Sequence, residues 1–291
     1  INVVVSNGAT LQMGTGASPS VLSGSNGYFT LSSGATLGIT SPYGITTSGT
    51  GATSGNIQLS GTRTFSTGAN YIYNGTNAQV TGAGLTQNTA ANLTIDNPAG
   101  VTLSNTINIS GLLTMSRGTL KMAARYITAG SLTGSSDITG GSGALSITIG
   151  GDNTSPAAFS GQISNGTATS VSLTKLGTGV LTLANASYTF TGATTITGGE
   201  LRLNPVSSSA TYASQIILKG GKLGTYGIDA GTVITFGSAL NLNANSVISL
   251  GSNSHSIKFP NSSATAWAGT SLTISNWGSS GGHIFFGTDA T

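Results

Sequence analysis

The feature that most constrains the fold is a series of short runs in which apolar and polar residues alternate, each closed by Gly, Asn, Asp or Ser. A period of two is that of a β-strand, because successive side chains point to opposite faces. Helical spacing of apolar residues does not recur. Gly and Asn supply the backbone conformations that turns need. The pattern predicts an all-β protein with short strands at 93–95, 107–109, 147–149, 240–242 and 272–274.

A smaller unit recurs along the chain, in which Gly and one or two residues precede Leu. Copies of this unit begin at Gly8, Gly34, Gly118, Gly179, Gly199 and Gly221. Short strands with repeated turn signals fit either a β-sandwich or a β-solenoid. Asn-Gly hairpin turns are few, whereas an antiparallel meander should show more of them. Tiny strands between small polar turns suit coils that stack in parallel, so the solenoid is favoured.

The predicted architecture is therefore a right-handed parallel β-helix, a single elongated rod that runs continuously over 1–291. With roughly 20–25 residues per coil, the chain would make about a dozen rungs spaced ~4.8 Å apart. Leu, Ile, Val and Phe should face inward, and Thr, Ser and Asn outward. The aromatic-rich stretch 251–291 is expected to form a β-rich C-terminal cap or an assembly region.

The composition excludes several classes of function. Only 5% of the residues are charged, against ~25% in an average soluble domain. Nine basic and six acidic groups give a net charge of +3, too few cations for a nucleic-acid surface. The absence of Cys excludes disulfides and thiolate metal sites. No run approaches the ~20 apolar residues of a membrane span, so we expect no membrane insertion. No signal peptide is visible, and an exported form would be a processed one.

Residues 173–204, LTKLGTGVLTLANASYTFTGATTITGGELRLN, combine Gly-x-Gly-x-Leu-x-Leu, an aromatic-Thr-Gly and Thr-x-x-x-Gly-x-Leu-x-Leu. This stretch resembles the strand repeat associated with the passenger regions of bacterial autotransporters. The clearest similarity covers 145–204, and 71–120 and 271–290 resemble repetitive exported surface proteins. The resemblance implies a secreted, extracellular β-solenoid at the cell surface. It implies no activity, because adhesins, toxins and enzymes share the scaffold.

The acidic residues give little sign of catalysis. A glycosidase needs two or three carboxylates that converge, and no two acids stand two apart on a strand. We expect no enzyme activity, no cofactor and no metal site. Asp96 and Asp152 each precede Asn, which favours turn formation over calcium binding. The six carboxylates are Asp96, Asp137, Asp152, Glu200, Asp229 and Asp289.

Other polar and aromatic residues have structural interpretations. His255 and His283 lack neighbours at ligand spacing, so a surface position is expected. Glu200 and Arg202 should lie outward on one strand, with Lys175 about a rung earlier, as a surface ion pair of little energy. Core or cap packing is predicted for most of the aromatics Tyr71, Tyr73, Tyr188, Phe190, Trp267 and Trp277.

The preferred functional interpretation is a structural protein of the bacterial cell surface that self-associates end to end into a filament or sheath. Exposed strand edges tend to associate, and the candidate assembly residues are Val3, Val4, Val5, Ile284, Phe285 and Phe286. One alternative is a monomeric adhesin that binds surface glycans through Trp267 and Trp277. A third is a polysaccharide-degrading β-helix enzyme.

Overall fold

The computed structural model describes residues 1–15, 19–277 and 281–287. The chain is an all-β parallel solenoid of about 12 turns, and the only helix among the described residues is a short 3₁₀ turn, Thr86–Asn88. It divides into two compact units, 1–130 with 135–141, and 131–134 with 142–291. Strand β15 (Ile127–Gly134) contributes residues to both units. The prediction of a parallel β-solenoid is confirmed.

The first unit is built from parallel ladders. One sheet holds β1 (Val3–Val5), β4 (Phe29–Leu31) and β7 (Arg63–Phe65). A longer sheet holds β2 (Thr10–Gln12), β5 (Thr36–Ile39), β8 (Asn70–Tyr73), β11 (Asn92–Asp96) and β13 (Ile107–Arg117), with β10 (Thr89–Ala90) also paired to β13. The remaining strands are β3 (Leu22–Gly24) with β6 (Ile57–Leu59), and β9 (Gln79–Val80), β12 (Val101–Thr102), β14 (Leu120–Lys121) and β16 (Ile138–Thr139).

The second unit repeats three ladders with greater regularity. The first holds β17 (Ala144–Ile149), β19 (Ser170–Lys175), β22 (Thr194–Ile196), β25 (Ile216–Lys219) and β28 (Asn241–Ala244). The second holds β20 (Val180–Leu183), β23 (Glu200–Leu203), β26 (Lys222–Thr225), β29 (Ser246–Ser249) and β31 (Leu272–Ser275). The third holds β21 (Ser187–Tyr188), β24 (Ser209–Tyr212), β27 (Val233–Phe236), β30 (Ser256–Phe259) and β32 (His283–Phe286), and the short β18 (Ile163–Ser164) also lies in this unit.

Register places like residues on like residues from one turn to the next. Leu181 pairs with Leu201, which pairs with Leu223, and all three are buried. Each such side chain contributes about 1.5–3 kcal/mol through burial. The predicted inward aliphatic residues are confirmed by alternating burial along the strands. In the aromatic-rich stretch, β30, β31 and β32 continue the parallel ladders; a distinct cap there, and the right-handed winding, stay predictions.

Residues 40–56 of the first unit leave the ladder between β5 and β6. Their backbone groups therefore need other partners. The buried Asn56 accepts the N–H groups of Thr40 and Ser41, at 2.9 and 2.8 Å. Its amide nitrogen donates to the Ser20 carbonyl and the Thr40 hydroxyl, at 2.8 and 2.9 Å. One amide thus satisfies four groups that no strand reaches.

Arg63 supports the same loop from the neighbouring turn. Its Nε donates to the Leu59 carbonyl at 3.0 Å, and its Nη atoms donate to the carbonyls of Thr46, Ser48 and Gly49. Burial lowers the pKa of Arg63 from its ordinary value, yet a guanidinium stays charged at any physiological pH. The loop is held by a permanent cation and a neutral amide.

The second unit stacks aromatic rings through successive turns. Tyr188 stacks on Tyr212 at 5.4 Å, and Tyr212 stacks on Phe236 at 5.6 Å. Phe236 lies 4.6 Å from Phe259, nearly parallel at 5°. Stacked pairs add about 0.5–1.5 kcal/mol beyond burial. The stack therefore binds five turns together, because Phe259 in turn stacks on Phe286 at 5.6 Å.

Candidate functional site

The predicted assembly residues lie on strands at the margins of their sheets. Strand β1 pairs with β4, and Val4 is exposed between Val3 and the buried Val5. Strand β32 pairs with β30, and Phe286 is 43% exposed. Among the described residues neither strand has a second partner. Each strand therefore presents backbone groups to solvent, as the sequence predicts for an edge.

The two tryptophans differ in their surroundings. Trp267 donates its indole N–H to the Leu240 carbonyl at 3.1 Å and packs edge-on against Phe286 at 6.1 Å. It is therefore tied into the end of the aromatic stack, although 40% of it is exposed. Trp277 is 57% exposed. Tyr71, Tyr73, Tyr188 and Phe190 are buried, which confirms core packing for these four.

A charged cluster forms where β23 and β26 run side by side. Glu200 Oε1 accepts from Arg202 Nε at 2.7 Å, and Oε2 lies 2.5 Å from Lys222 Nζ. The predicted pairing of Glu200 with Arg202 is confirmed. The predicted surface position is wrong for Glu200, which is buried. The second cation is Lys222, because parallel register places Lys222 directly opposite Glu200.

Electrostatics stabilise the ionised form of this cluster. Burial acts to raise the pKa of Glu200, but the hydrogen bonds and charges of Arg202 and Lys222 outweigh it and lower that pKa below its ordinary value. The hydrogen bond that Arg202 donates to Glu200 raises the pKa of Arg202. Gly224 makes the arrangement fit, since a Cβ there would overlap Glu200 Oε1.

A groove of about 290 Å³ opens beside this cluster. Arg202 and Lys222 border it, and the guanidinium carbon of Arg202 lies 5.1 Å from the centre of the Tyr226 ring. Sequence reasoning missed this site. The signal was the repeated unit itself, because aligning Gly199-Glu200-Leu201 with Gly221-Lys222-Leu223 places the carboxylate beside the ammonium.

Lys175 lies inside the solenoid, so its predicted outward position is wrong. Its ammonium donates to the Leu176 carbonyl at 2.6 Å and to the Gly198 carbonyl at 3.4 Å. Burial lowers the pKa of Lys175, and the charges of Asp152 and Glu200 oppose that shift. Its inward position follows from strand alternation, since Val171 and Leu173 of the same strand are buried too.

His255 is buried, so its predicted surface position is wrong, whereas His283 is exposed as expected. His255 Nδ1 lies 2.6 Å from the Asn253 carbonyl, and Nε2 lies 2.8 Å from the Thr225 hydroxyl. The Thr225 oxygen also accepts the Gly251 N–H at 2.9 Å. These bonds attach the loop that follows β29 to Thr225 of β26. They therefore link two turns of the solenoid.

The carboxylates lie in separate settings. Asp152 accepts the N–H and hydroxyl of Thr154, both at 2.9 Å, which confirms its predicted turn. Burial acts to raise the pKa of Asp152, but bonds from Thr154 and Ser131 lower it overall. The turn prediction is wrong for Asp96, which ends β11 and pairs with Arg117 at 2.6 Å.

No metal-binding group of three or more His, Cys, Asp or Glu side chains forms within 1–15, 19–277 and 281–287. Asp289, one of the six predicted carboxylates, lies outside the described residues. Within the same ranges no helix has the length and apolar character of a membrane-crossing segment.

Comparison with known proteins identifies a repeat in the second unit. Residues 173–203 match the family model of the passenger-associated-transport-repeat. The search of curated proteins found no match, and neither did the search of solved structures. The matched residues run from the end of β19 through β23, the part of the second unit that holds Glu200 and Arg202. A passenger-associated repeat within a parallel β-solenoid fits the passenger-repeat proteins of autotransporters, and it suggests a secreted or surface protein.

Proposed function

We propose that this chain is a structural segment of the bacterial cell surface that associates with copies of itself through its edge strands into an extracellular filament or sheath. The observation that carries the proposal is the aromatic stack of the second unit, which reaches the edge strand β32 and leaves Phe286 partly exposed. Phe286 contacts Phe259 and Trp267, and its exposed 43% is apolar surface that a partner can cover.

The edge strands supply the other half of the contact. The backbone groups on the open side of β32 can hydrogen-bond an added parallel strand. Strand β1 is the proposed partner in a second copy, because Val4 is exposed and Val3 is half-buried there. Charge does not oppose such association, since only 15 of 291 side chains are Lys, Arg, Asp or Glu.

Sedimentation velocity and negative-stain microscopy of the purified protein test this association. We expect concentration-dependent oligomers and filaments, and we expect Phe286→Lys to prevent them, because a buried unpaired ammonium is costly at an interface. The matched control is Val206→Lys, an exposed apolar residue in the loop between β23 and β24. Single particles at high concentration, or equal loss in both variants, would refute the proposal.

We also propose that the segment works without a catalytic centre. Both oxygens of Glu200 are engaged by cations, Asp152 serves a turn, and Asp96 pairs with Arg117. These bonds give these three carboxylates a structural role, whereas a glycosidase needs a free pair. Reducing-sugar release from a broad panel of polysaccharides tests the point; release from any polymer, abolished by Glu200→Gln, would contradict it.

A second candidate function is a monomeric adhesive segment that contacts glycans. The exposure of Trp277 favours it, because an exposed indole offers a flat face to a sugar ring. Trp267 is less suited, since its N–H and one ring face are already used. Loss of glycan-array binding in Trp277→Ala but not in Trp267→Ala would support this function.

A further inference from the structure

The groove beside Glu200 concentrates charge in a chain that has little. Three of its 15 charged side chains meet there, two cations and one carboxylate. The lining therefore keeps one positive charge after Glu200 is neutralised. Asp229 is exposed in the nearby loop but does not line the groove. An ordinary surface ion pair would leave no such excess.

Arg202 and Lys222 have N–H donors that Glu200 does not use. Arg202 uses Nε for Glu200, and within the part of the chain that the structure describes its two Nη groups have no hydrogen-bond acceptor. Among the same residues Lys222 Nζ has a single partner, one oxygen of Glu200. A guanidinium can hold a carboxylate through two parallel bonds. Glu200 thus fixes the two cations in place while leaving donors for an incoming anion.

The other walls suit a hydroxylated ring. Tyr226 is 61% exposed, and its ring lies against the Arg202 guanidinium. Ser249, Ser252 and Asn276 border the groove, with Asn276 Nδ2 donating to Ser249 Oγ at 3.3 Å. Hydroxyl and amide groups exchange hydrogen bonds with sugar hydroxyls, and an exposed phenol ring packs against the flat face of a sugar. The volume lies near the lower end of the ~300–1,000 Å³ that small ligands occupy.

We propose that this groove binds an acidic saccharide, with the carboxylate of a uronic-acid residue on Arg202 and Lys222 and the sugar ring on Tyr226. The site goes beyond self-association and does not depend on it. It shares a carbohydrate ligand with the second candidate function, but its residues differ from Trp277.

Isothermal titration calorimetry with tetragalacturonate tests the proposal, using its fully methyl-esterified form as the neutral match. We expect binding of the acid and at least a tenfold weaker affinity for the ester. Arg202→Gln should weaken binding at least tenfold, and Tyr226→Ala should weaken it several-fold without disturbing the fold, because that side chain is largely exposed. Lys219→Gln makes the same charge change outside the groove and should bind like the parent protein.

Several outcomes would overturn the assignment. They are no binding of tetragalacturonate, equal binding of the ester, equal binding of tetraglutamate, or equal loss in Lys219→Gln. Loss in Trp277→Ala with full binding in Arg202→Gln and Tyr226→Ala would place the ligand on the tryptophan instead. Sedimentation of the same variants keeps the two proposals apart, because the groove variants should leave self-association unchanged.

Discussion

The two units of the solenoid stabilise successive turns by different means. Buried amide side chains occur in the first unit and, among the described residues, in no other part of the chain; they are Asn56, Gln58, Gln79 and Asn97. The second unit instead stacks five rings on consecutive strands. The difference follows from regularity, because a loop that leaves the ladder needs side chains to satisfy its backbone, whereas regular turns bring like side chains into register.

Two of these amides, those of Asn56 and Gln79, make four hydrogen bonds each. Gln79 accepts from the Gly75 N–H and from Asn97 Nδ2, at 2.9 and 2.8 Å. It donates to the carbonyls of Ile39 and Ser41, at 2.9 and 3.0 Å. Like Asn56, it makes all four bonds that its amide allows. Polar groups buried in this way give specificity of conformation, and losing one leaves several groups unsatisfied.

The largest effect should come from the middle of the ring stack. Phe236→Ala removes a buried ring with neighbours on both faces, and we expect a loss of about 3–5 kcal/mol in the free energy of unfolding. Urea denaturation measures the loss, and hydrogen exchange should place it in the second unit. Phe286→Ala, at the exposed end of the stack, should cost about 1 kcal/mol. Equal losses at the two positions would show that a ring in the middle of the stack contributes no more to stability than the ring at its exposed end.

The matching test in the first unit is Asn56→Ala. It removes the Asn56 partner of two N–H groups and of the Ser20 carbonyl, while the Thr40 hydroxyl keeps its bond to the Gly14 carbonyl. We expect a loss of about 2–3 kcal/mol in the free energy of unfolding. Hydrogen exchange should speed up in residues 40–56. The exposed Asn77→Ala should change stability by no more than ~0.5 kcal/mol. An Asn56→Ala variant as stable as the parent would show that water replaces the amide at no cost.

A smaller effect concerns acid. Among the described residues, the carboxylates with lowered pKa values are Asp152 and Glu200, and both belong to the second unit. Their contribution is present above the ordinary pKa and is lost as pH falls through the lowered one. We expect Glu200→Gln to reduce the free energy of unfolding by at most about 1 kcal/mol at pH 7. On going from pH 7 to pH 3, this variant should lose less stability than the parent protein does. Arg63 of the first unit stays charged throughout.

Urea unfolding of both proteins at pH 7 and pH 3 measures this difference, with exchange rates assigned to each unit. If the free energy of unfolding fell equally between pH 7 and pH 3 in the parent and in Glu200→Gln, Glu200 would not contribute to the acid sensitivity. A loss confined to the first unit would contradict the comparison of the two units.

The smallest expected effect is in alkali. The pKa of Lys175 is lowered by burial, so the folded chain releases this proton at a lower pH than the unfolded chain does. Stability should therefore rise as pH increases through the lowered pKa toward the ordinary value of 10.5. Between pH 7 and pH 10 the free energy of unfolding of the parent protein should rise by a few tenths of a kcal/mol. Lys175→Met should not show this rise. Identical pH profiles for the two proteins would contradict this role.

Much of the architecture follows from the sequence alone. Alternating apolar residues closed by Gly and Asn determine short strands, since only a period of two brings such side chains to one face. Scarce hairpin turns and a degenerate Gly-x-Leu unit favour parallel stacking, and residues 173–204 carry the passenger-type repeat. Burial of Leu181, Leu201 and Leu223 in register is the direct outcome of that repeat.

Tertiary structure decided what the outward and irregular residues do. Glu200 meets Lys222 only because parallel register joins residues one turn apart, and the length of each turn is not fixed by any local preference. His255, Lys175 and Asn56 are polar yet buried, because loops and turn corners need hydrogen-bond donors and acceptors that the strands do not supply. Alternation along a strand determines which face a residue occupies, whereas only the packed turns determine which neighbours it meets there.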